Sequence, residues 1–276
     1  MISNSVNTNA GAMIALQNLN KANSELEVVQ NRINTGLRVS GARDDGGIFA
    51  IAQRMRSEVS GFGVVQQSLD RGVATTDVAL AAGEAISDLL IEMKEKALAA
   101  ADASLDTASR TALNEDYKAL REQIDSIVTN AEFNGLNLVD GSTNSFVALA
   151  NADGSNTITV SAEDMSLSGS IVTLSATSSF GTATQADNIV SQIETSLDNV
   201  NASLARLGTK SKALDIHATF VTKLSDSLSE GIGNLVDADL AKESARLQSL
   251  QVKQQLGTQA LSIANQRPQQ VLSFFQ

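Results

Sequence analysis

The feature that most constrains the fold is one apolar stripe that continues for many helical turns without a break. Its side chains are spaced alternately three and four residues apart from Ile193 to Leu235, and the register extends back to Ala186. A 3-4 repeat sustained over several heptads is typical of a coiled-coil seam. The predicted seam residues are Leu197, Leu204, Leu214 and Leu228. A helix over residues 186–235 would extend about 75 Å, so it must pack against other long helices.

The same spacing recurs in two earlier segments, residues 48–97 and 113–131. In the first segment the stripe changes phase at Gly83, which predicts a three-residue insertion of the kind that overwinds a coiled coil. The alternative is a compact bundle of ordinary helices, but those average about twelve residues and these stripes are longer. We therefore predict long antiparallel helices over 43–141 that pack against the helix over 186–235.

The composition favours helix seams over ligand pockets. Among 276 residues there is no Trp, one Tyr and one Pro, and aromatic residues make up 3% of the chain, so its apolar surface is mostly aliphatic. Aliphatic side chains form helix seams well, whereas pockets are usually lined with aromatic side chains. The predicted fold class is mainly α, with long antiparallel coiled-coil helices.

Both ends of the chain carry apolar stripes that are too sparse to stabilise a helix alone. The N-terminal stripe includes Ala12, Ala15 and Ala22, which let another helix approach closely, and the C-terminal segment has two stripes, which imply neighbours on two sides. Because isolated helices are marginal in water, we expect the two ends to pair as a coiled coil and to become ordered only on assembly. The predicted assembly residues are Leu19, Leu26, Val29, Ile33, Leu247, Leu250, Leu256, Leu261 and Ile263.

The charge argues against nucleic acid as a partner, because the formal net charge is −11 and the pI is about 4.6. Residues 1–60 carry six basic and five acidic side chains, and residues 240–276 carry four basic and one acidic, so the acidic excess lies in the middle. Chance variation on solvated helix faces would explain this distribution. The alternative is that the ends pack against each other or against neighbouring copies.

The helical register disappears between Gly141 and Ala186, where Ser, Thr, Gly, Asn and Ala dominate. Alternating stretches predict strands at Thr157–Val160 and Ser170–Ser175, with turns at Asn151–Gly154 and Ser168–Ser170. We expect a small β-hairpin region at the tip of the helical hairpin. A disordered linker is the alternative that the composition leaves open.

The sequence offers no constellation for catalysis, and we predict neither a catalytic nor a metal site nor a cofactor. Cysteine is absent and His217 is the single histidine, so a thiolate centre or a site built from several histidines cannot form within one chain. The N-terminus has neither the basic nor the apolar region of a cleaved signal peptide. If the protein leaves the cell, we expect it to do so without one.

Several motifs at the two ends resemble those of the bacterial flagellins. They are Asn7–Asn20, Arg32–Arg38, Ser40–Gly47, Glu132–Gly141 and a C-terminal set within Ile232–Gln276 that includes Asp237–Leu240, Gln254–Gly257 and Pro268–Ser273. They occur in the family's order on both flanks of the chain. The short centre between them resembles a flagellin that has core and shell domains only.

The resemblance implies a domain organisation. The segments 1–42 and 236–276 would be paired terminal helices in the core of a hollow filament. Residues 43–141 and 186–235 would form the surrounding shell, and residues 142–185 a small β-rich tip region.

The resemblance also implies a function: a filament subunit that is exported unfolded through the flagellar type III apparatus, with a flagellin-specific chaperone, and that polymerises under a cap protein outside the cell. Other implied partners are sister flagellins and the hook-filament junction proteins. A junction protein and an intracellular coiled-coil scaffold are the alternative functions. Hydroxyl groups in the tip region are either strand and turn residues or sites of O-glycosylation, and the candidates are Thr157, Thr159, Ser161, Ser166 and Thr173.

Overall fold

The structure is a computed structural model that describes residues 8–272, with side chains to residue 266. The outermost residues of the two predicted terminal domains, and the side chains of the Pro268–Ser273 motif, lie outside the described part. The elements in chain order are α1 (Ala10–Thr35), α2 (Gly46–Ala101), α3 (Thr107–Asn130), β1 (Glu132–Phe133), β2 (Leu136–Asn137), β3 (Ser145–Leu149), β4 (Thr157–Ser161), α4 (Ala183–Val236) and α5 (Leu240–Leu272). The fold is mainly α, as the periodicity predicts.

The chain divides into two compact units. One contains Met1–Ser57 and Ser227–Gln276, and the other contains Glu58–Asp226. The second unit holds the main apolar core, which α2, α3 and α4 build together with the segment that follows the strands. Within this unit α2 and α4 run antiparallel, as two contacts far apart along them show. Lys94 Nζ lies 2.8 Å from Glu194 Oε1, and Thr222 Oγ1 donates to Gln66 Oε1 over 3.3 Å.

The predicted change of phase at Gly83 is wrong, because the buried side of α2 keeps one 3-4 spacing from Val65 to Ala100. Gly72 and Gly83 lie on that buried side, and side chains from other elements fill the space next to them. A Cβ at Gly72 would lie 2.7 Å from Phe146 Cε1, and one at Gly83 would lie 2.7 Å from Leu204 Cδ2. The apparent slip in the sequence arises because glycine carries no apolar side chain to mark the stripe.

Strands β1 and β2 form one short antiparallel pair, and β3 and β4 form a hairpin that lies close to α2. Strand β3 pairs antiparallel with β4, with Val147 opposite Thr159. At the turn between them, a Cβ on Gly61 of α2 would lie 2.8 Å from the Cβ of Ala152 and 3.0 Å from its carbonyl oxygen. Ser68 Oγ accepts a 3.1 Å hydrogen bond from the Leu149 N–H, and His217 Nε2 lies 2.7 Å from the Ala150 oxygen. Glycine at 61 therefore permits the close approach.

One of the two predicted strands is observed and the other is not. Thr157–Ser161 is β4, but its partner is Ser145–Leu149, which the sequence did not single out. The predicted strand at Ser170–Ser175 is irregular, with the consecutive side chains Ile171 and Val172 both buried, so the alternation of a strand is absent. Its backbone is satisfied elsewhere, because the Thr173 N–H donates to Ser196 Oγ on α4 over 3.1 Å.

A recurring Asp-x-Ser turn closes several connections in the second unit. In each, the Ser N–H and hydroxyl donate to the carboxylate two residues earlier, at Asp102, Asp140, Asp153 and Asp164. At Asp102 the backbone N–H of Ser104 and then its hydroxyl lower the pKa of the carboxyl from 3.8. These bonds favour the charged form, so the turns hold best when the aspartates are ionised.

Candidate functional site

The candidate site is the pair of terminal helices, whose ends are defined by capping residues. Helix α1 begins after Asn9, whose side chain accepts a 3.0 Å hydrogen bond from the Ala12 N–H, and it ends at Gly36 in the left-handed conformation (φ 71°). Helix α5 begins after Asp239, whose carboxylate accepts a 3.0 Å hydrogen bond from the Ala241 N–H. An acidic cap at a helix N-terminus satisfies free N–H groups and complements the helix dipole.

The two helices pack antiparallel on a narrow apolar face. Val29 is fully buried, Leu250 is 2% exposed and Ala22 is 9% exposed. A Cβ at Gly257 would lie 3.2 Å from Leu19 Cδ1, so the absent side chain leaves room for α1 to approach. Few bulky side chains are buried between the helices, which agrees with the sparse stripes in the sequence.

Polar contacts link α1 and its N-cap Asn9 to α5 along the described parts of the two helices. They are Asn9 Nδ2 to the Ala264 oxygen at 2.7 Å, Gln254 Nε2 to Asn23 Oδ1 at 2.8 Å, Arg32 Nη1 to Glu243 Oε1 at 3.1 Å, and Arg246 Nη2 to Glu25 Oε2 at 3.8 Å. The ion pair of Arg32 with Glu243 is more buried than that of Arg246 with Glu25, since 26% and 10% of its two side chains are exposed against 51% and 35%. Within the described part of the chain, the second oxygen of Glu243 is buried and has no hydrogen-bond partner.

The connections to α1 and α5 also lie side by side. Leu37 forms an antiparallel bridge with Asp237, the Arg38 N–H donates to the Val236 oxygen over 2.7 Å, and the Ala238 N–H donates to the Gly36 oxygen over 2.9 Å. A small apolar cluster beneath them contains the buried side chains Val39, Ala52 and Val236. The two connections therefore emerge together at one end of the helix pair.

The structure divides the nine predicted assembly residues into two groups. Seven lie on the buried or half-buried face: Leu19, Leu26, Val29, Ile33, Leu247, Leu250 and Leu261. The other two, Leu256 and Ile263, are 64% and 53% exposed. Of the two apolar stripes on α5, the one that faces α1 is therefore largely buried within the chain, and the other is exposed.

Further exposed apolar side chains on the same helices were not predicted from the sequence. On α1, Met13 is 64% exposed, Ile14 60%, Leu16 47% and Val28 45%. Met13 and Leu16 lie three residues apart, and this spacing is the sequence pattern from which a second apolar stripe on α1 could have been predicted. Each terminal helix therefore has one apolar face turned to its partner and other apolar side chains in contact with solvent.

The remaining predicted residues lie elsewhere. Leu214 is buried, and Leu197 and Leu204 pack against the core of the second unit, whereas Leu228 is half-buried in the first unit.

The candidate O-glycosylation residues also fall into two groups. Thr157, Thr159 and Ser161 are exposed on β4, and their hydroxyls form no hydrogen bond within the described residues. The Ser166 hydroxyl donates to Asp164 Oδ1 over 2.5 Å, and the Thr173 hydroxyl lies 3.1 Å from Ser196 Oγ.

Two further findings bear on function. Among residues 8–272, no three His, Asp or Glu side chains converge in a way that could hold a metal ion. None of the helices, over the part that is described, combines the length and hydropathy needed to cross a membrane.

Comparison with known proteins gives consistent matches along the whole chain. Residues 6–144 match the family model of the bacterial flagellin N-terminal helical region, and residues 190–275 match that of the C-terminal helical region. Flagellin FljK of Caulobacter vibrioides is 57% identical over 275 residues, which cover 100% of both chains. A flagellin of Brucella melitensis is 37% identical and covers 98% of this chain and 99% of its own.

Solved structures show the same fold at lower identity. A flagellin from Bacillus cereus aligns with a TM-score of 0.50 at 22% identity, covering 56% of this chain and 88% of its own. A putative flagellar hook-associated protein from Vibrio parahaemolyticus aligns with a TM-score of 0.59 at 14% identity, covering 70% of this chain and 100% of its own. The terminal helix pair, the two family models and the end-to-end identity with named flagellins lead to one conclusion: this chain belongs to the bacterial flagellin family and is a structural subunit of a flagellar filament.

Proposed function

We propose that the chain polymerises head-to-tail with copies of itself, and that neighbouring copies cover the exposed apolar side chains of the terminal helix pair. The observation that carries this proposal is the second, uncovered face of α5, where Leu256 is 64% and Ile263 is 53% exposed. Apolar surface left in water favours association. The contact must be heterologous, because a closed two-fold pair would use the face once and stop growth. Repetition of one such contact gives an open, hollow helical filament that serves motility.

The terminal pair is marginal before assembly in this proposal. Only Ala22, Val29 and Leu250 are buried apolar residues on the described parts of its helices, and ordering each residue costs roughly 1 to 2 kcal/mol of conformational entropy. Neighbouring copies then supply the burial that stabilises both ends, so folding of the ends and polymerisation are coupled. A chain with weakly ordered ends also suits unfolded export through the type III apparatus, with an export chaperone, to a capped filament outside the cell. The proposed role is structural and not enzymatic.

The runner-up function is a hook-filament junction protein. The fold alone supports both, because a hook-associated protein and a flagellin align with similar scores. The relatives that match from end to end at 57% and 46% identity are both named flagellins, which favours the open-ended filament. In the proposal, junction proteins and sister flagellins are neighbours in the filament.

Seeded growth tests the proposal. Purified chain is added to short filament fragments, and filament length is measured by electron microscopy for the intact chain and for a chain without residues 1–35 and 245–276. Leu256→Asp should stop growth, because it buries a charge between copies, while Gln255→Asp adds the same charge one residue away from the apolar face and should slow growth much less. Leu26→Asp and Leu250→Asp should block growth through the inner face. Normal filaments from Leu256→Asp would contradict the proposed contact.

The exposure of the hydroxyl groups supports proposed O-glycosylation on β4. The hydroxyls of Thr157, Thr159 and Ser161 are exposed and free of hydrogen bonds within the described residues, whereas modification of Ser166 or Thr173 would break a contact. Intact-mass analysis of native filaments, followed by peptide mapping, tests this. A mass equal to that of the bare chain would refute modification, and sugar on Ser166 would refute the restriction to β4.

A further inference from the structure

A groove lies between β4 and α4 in the second unit, with a volume of about 380 Å³. Leu207 is 1% exposed, so it gives the groove an apolar base, and Lys210 is exposed at its rim. The other lining residues are Ser161, Glu163, Ala205, Arg206 and Thr209. The groove therefore combines an apolar base with polar and charged sides.

The groove is positively charged on its α4 side. Residues 199–214 carry three basic and no acidic side chains, in a chain whose net charge is −11. Arg206 donates through Nε and Nη2 to the two carboxylate oxygens of Glu163, so much of its charge is balanced. Lys210 forms no ion pair within the described residues, so its charge faces solvent. An occupant that presents an aliphatic side chain beside a carboxylate would match both features of the groove.

Helix α2 carries such a combination on its solvent side. The side chains that we call the outer stripe are spaced three or four residues apart and are all exposed: Glu84, Asp88, Ile91, Glu95 and Leu98. The nearby Lys94 and Lys96 each form an ion pair with a neighbouring helix, over 2.8 Å and 3.0 Å. Within the described residues, the three carboxylates of the outer stripe form no ion pair. The outer stripe is therefore acidic, with aliphatic side chains between the carboxylates.

The outer stripe and the groove lie on different sides of the second unit. Helix α4 contacts α2 through Glu194, Ser211 and Thr222. The groove residues of α4 lie instead on the side that faces β4. The outer stripe is turned away from the core, because its neighbours Leu90 and Met93 are fully buried. The outer stripe of one chain therefore does not reach its own groove, whereas that of a second copy can.

We propose that the groove of one copy receives the outer stripe of the next copy, with Ile91 and Leu98 on the apolar base and Glu95 beside Lys210. Ile91 is 48% and Leu98 is 59% exposed, so the contact would remove apolar surface from water, and the complementary charges would orient it. It joins two different surfaces, so it can repeat without closing. The inference rests on the proposed function, to which it adds a contact between copies outside the terminal helices.

Charge reversal tests the contact in the seeded growth assay. Lys210→Glu and Glu95→Lys should each raise the critical concentration for growth about tenfold, because each places like charges together at every contact. The increase should shrink at high salt, since the charges lie at an exposed rim. Lys212→Glu makes the same change at an exposed residue of α4 outside the groove and should have little effect. Circular dichroism and urea unfolding of each monomer check that the fold is retained.

Two rescue experiments show whether the contact joins different copies. The double variant Lys210→Glu with Glu95→Lys should grow near the native critical concentration, because opposite charges meet again. An equimolar mixture of the two single variants should also grow, because alternating copies place each groove against an outer stripe of opposite charge. An interaction within one chain would be rescued in the double variant but not in the mixture, and that result would overturn the inference.

Crosslinking gives a direct readout, because the chain has no native cysteine. Lys210→Cys with Glu95→Cys in one chain, treated with a short bis-maleimide, should give a ladder of multimers in filaments and no multimers in the soluble monomer. Crosslinks that stop at dimers would overturn the repeating contact. Normal growth of both charge-reversed single variants would refute this contact alone, whereas failure of the intact chain to extend seeds would refute the proposed function and this contact with it.

Discussion

The contact between the hairpin turn and α2 makes the substitution Gly61→Ala informative. Glycine inside a helix is normally a weak point, and replacing it with alanine stabilises an exposed helical site by about 1 kcal/mol. At Gly61 the added methyl group would lie 2.8 Å from the Ala152 Cβ and 3.0 Å from its carbonyl oxygen. Because one of these atoms belongs to the backbone, no side-chain rotation relieves the clash.

Two terms decide the size of the effect. The helical gain of about 1 kcal/mol is opposed by overpacking, which typically costs about 1 to 3 kcal/mol. We therefore expect Gly61→Ala to lower the free energy of unfolding by about 1 kcal/mol. Gly63 lies in the same helix, and a methyl group added there would meet nothing within 4 Å, so Gly63→Ala should raise that free energy by about 1 kcal/mol. The two variants should differ by about 2 kcal/mol.

Urea unfolding of the monomer, followed by far-ultraviolet circular dichroism, measures both variants. Hydrogen exchange adds a local measurement, because the Leu149 N–H donates to Ser68 on α2 and should exchange faster when the turn is pushed away. Equal stabilisation by Gly61→Ala and Gly63→Ala, with unchanged exchange at Leu149, would refute the close packing of the turn on α2.

Three further changes test the second unit. Tyr117→Phe removes the 2.8 Å hydrogen bond to Ser178 and should cost about 1 kcal/mol in urea unfolding. Arg206→Met should cost about 2 kcal/mol, because it leaves the buried carboxylate of Glu163, which is 9% exposed, without its cation. The loss in urea unfolding should be equal at low and high salt, because that carboxylate is shielded from the solvent ions. Asp102 has a lowered pKa, so its stabilising contribution is present above 3.8 and is lost as the pH falls through the folded-state value; Asp102→Asn should flatten the stability profile below that pH.

The long helices could be predicted from the sequence because their apolar spacing is regular and their burial follows that spacing. The seam of α2 could not be followed through Gly72 and Gly83, since both are buried by the side chains of other elements and carry none of their own. The strand Ser145–Leu149 was missed because its assignment depends on pairing with β4 across a turn. Conversely, Ile171 and Val172 are residue types that favour a strand, but their segment packs on α4. A side chain of α4 accepts a backbone hydrogen bond from this segment in place of a neighbouring strand.

The terminal site shows the same division between local pattern and tertiary contact. Both stripes of α5 are visible in the sequence, and the structure shows which of them is covered within one chain. The ion pair of Arg32 with Glu243 joins residues 211 positions apart, and nothing in the local pattern of either helix links them. Its prediction requires the register in which the two helices pair, which the spacing of either helix alone does not give.

The burial of Tyr117 provides an optical probe that needs no label. It is the only tyrosine in a chain without tryptophan, so its emission is not lost by energy transfer to an indole. Its ring lies 5.2 Å from that of Phe180, its hydroxyl contacts Ser178, and burial raises its pKa above 10.0. Fluorescence and the ultraviolet signal of tyrosinate in alkali therefore both report whether the segment around residue 180 is docked on α3. The terminal helices contain no tyrosine or tryptophan. A single fluorophore introduced there would therefore report on the terminal helices separately from Tyr117.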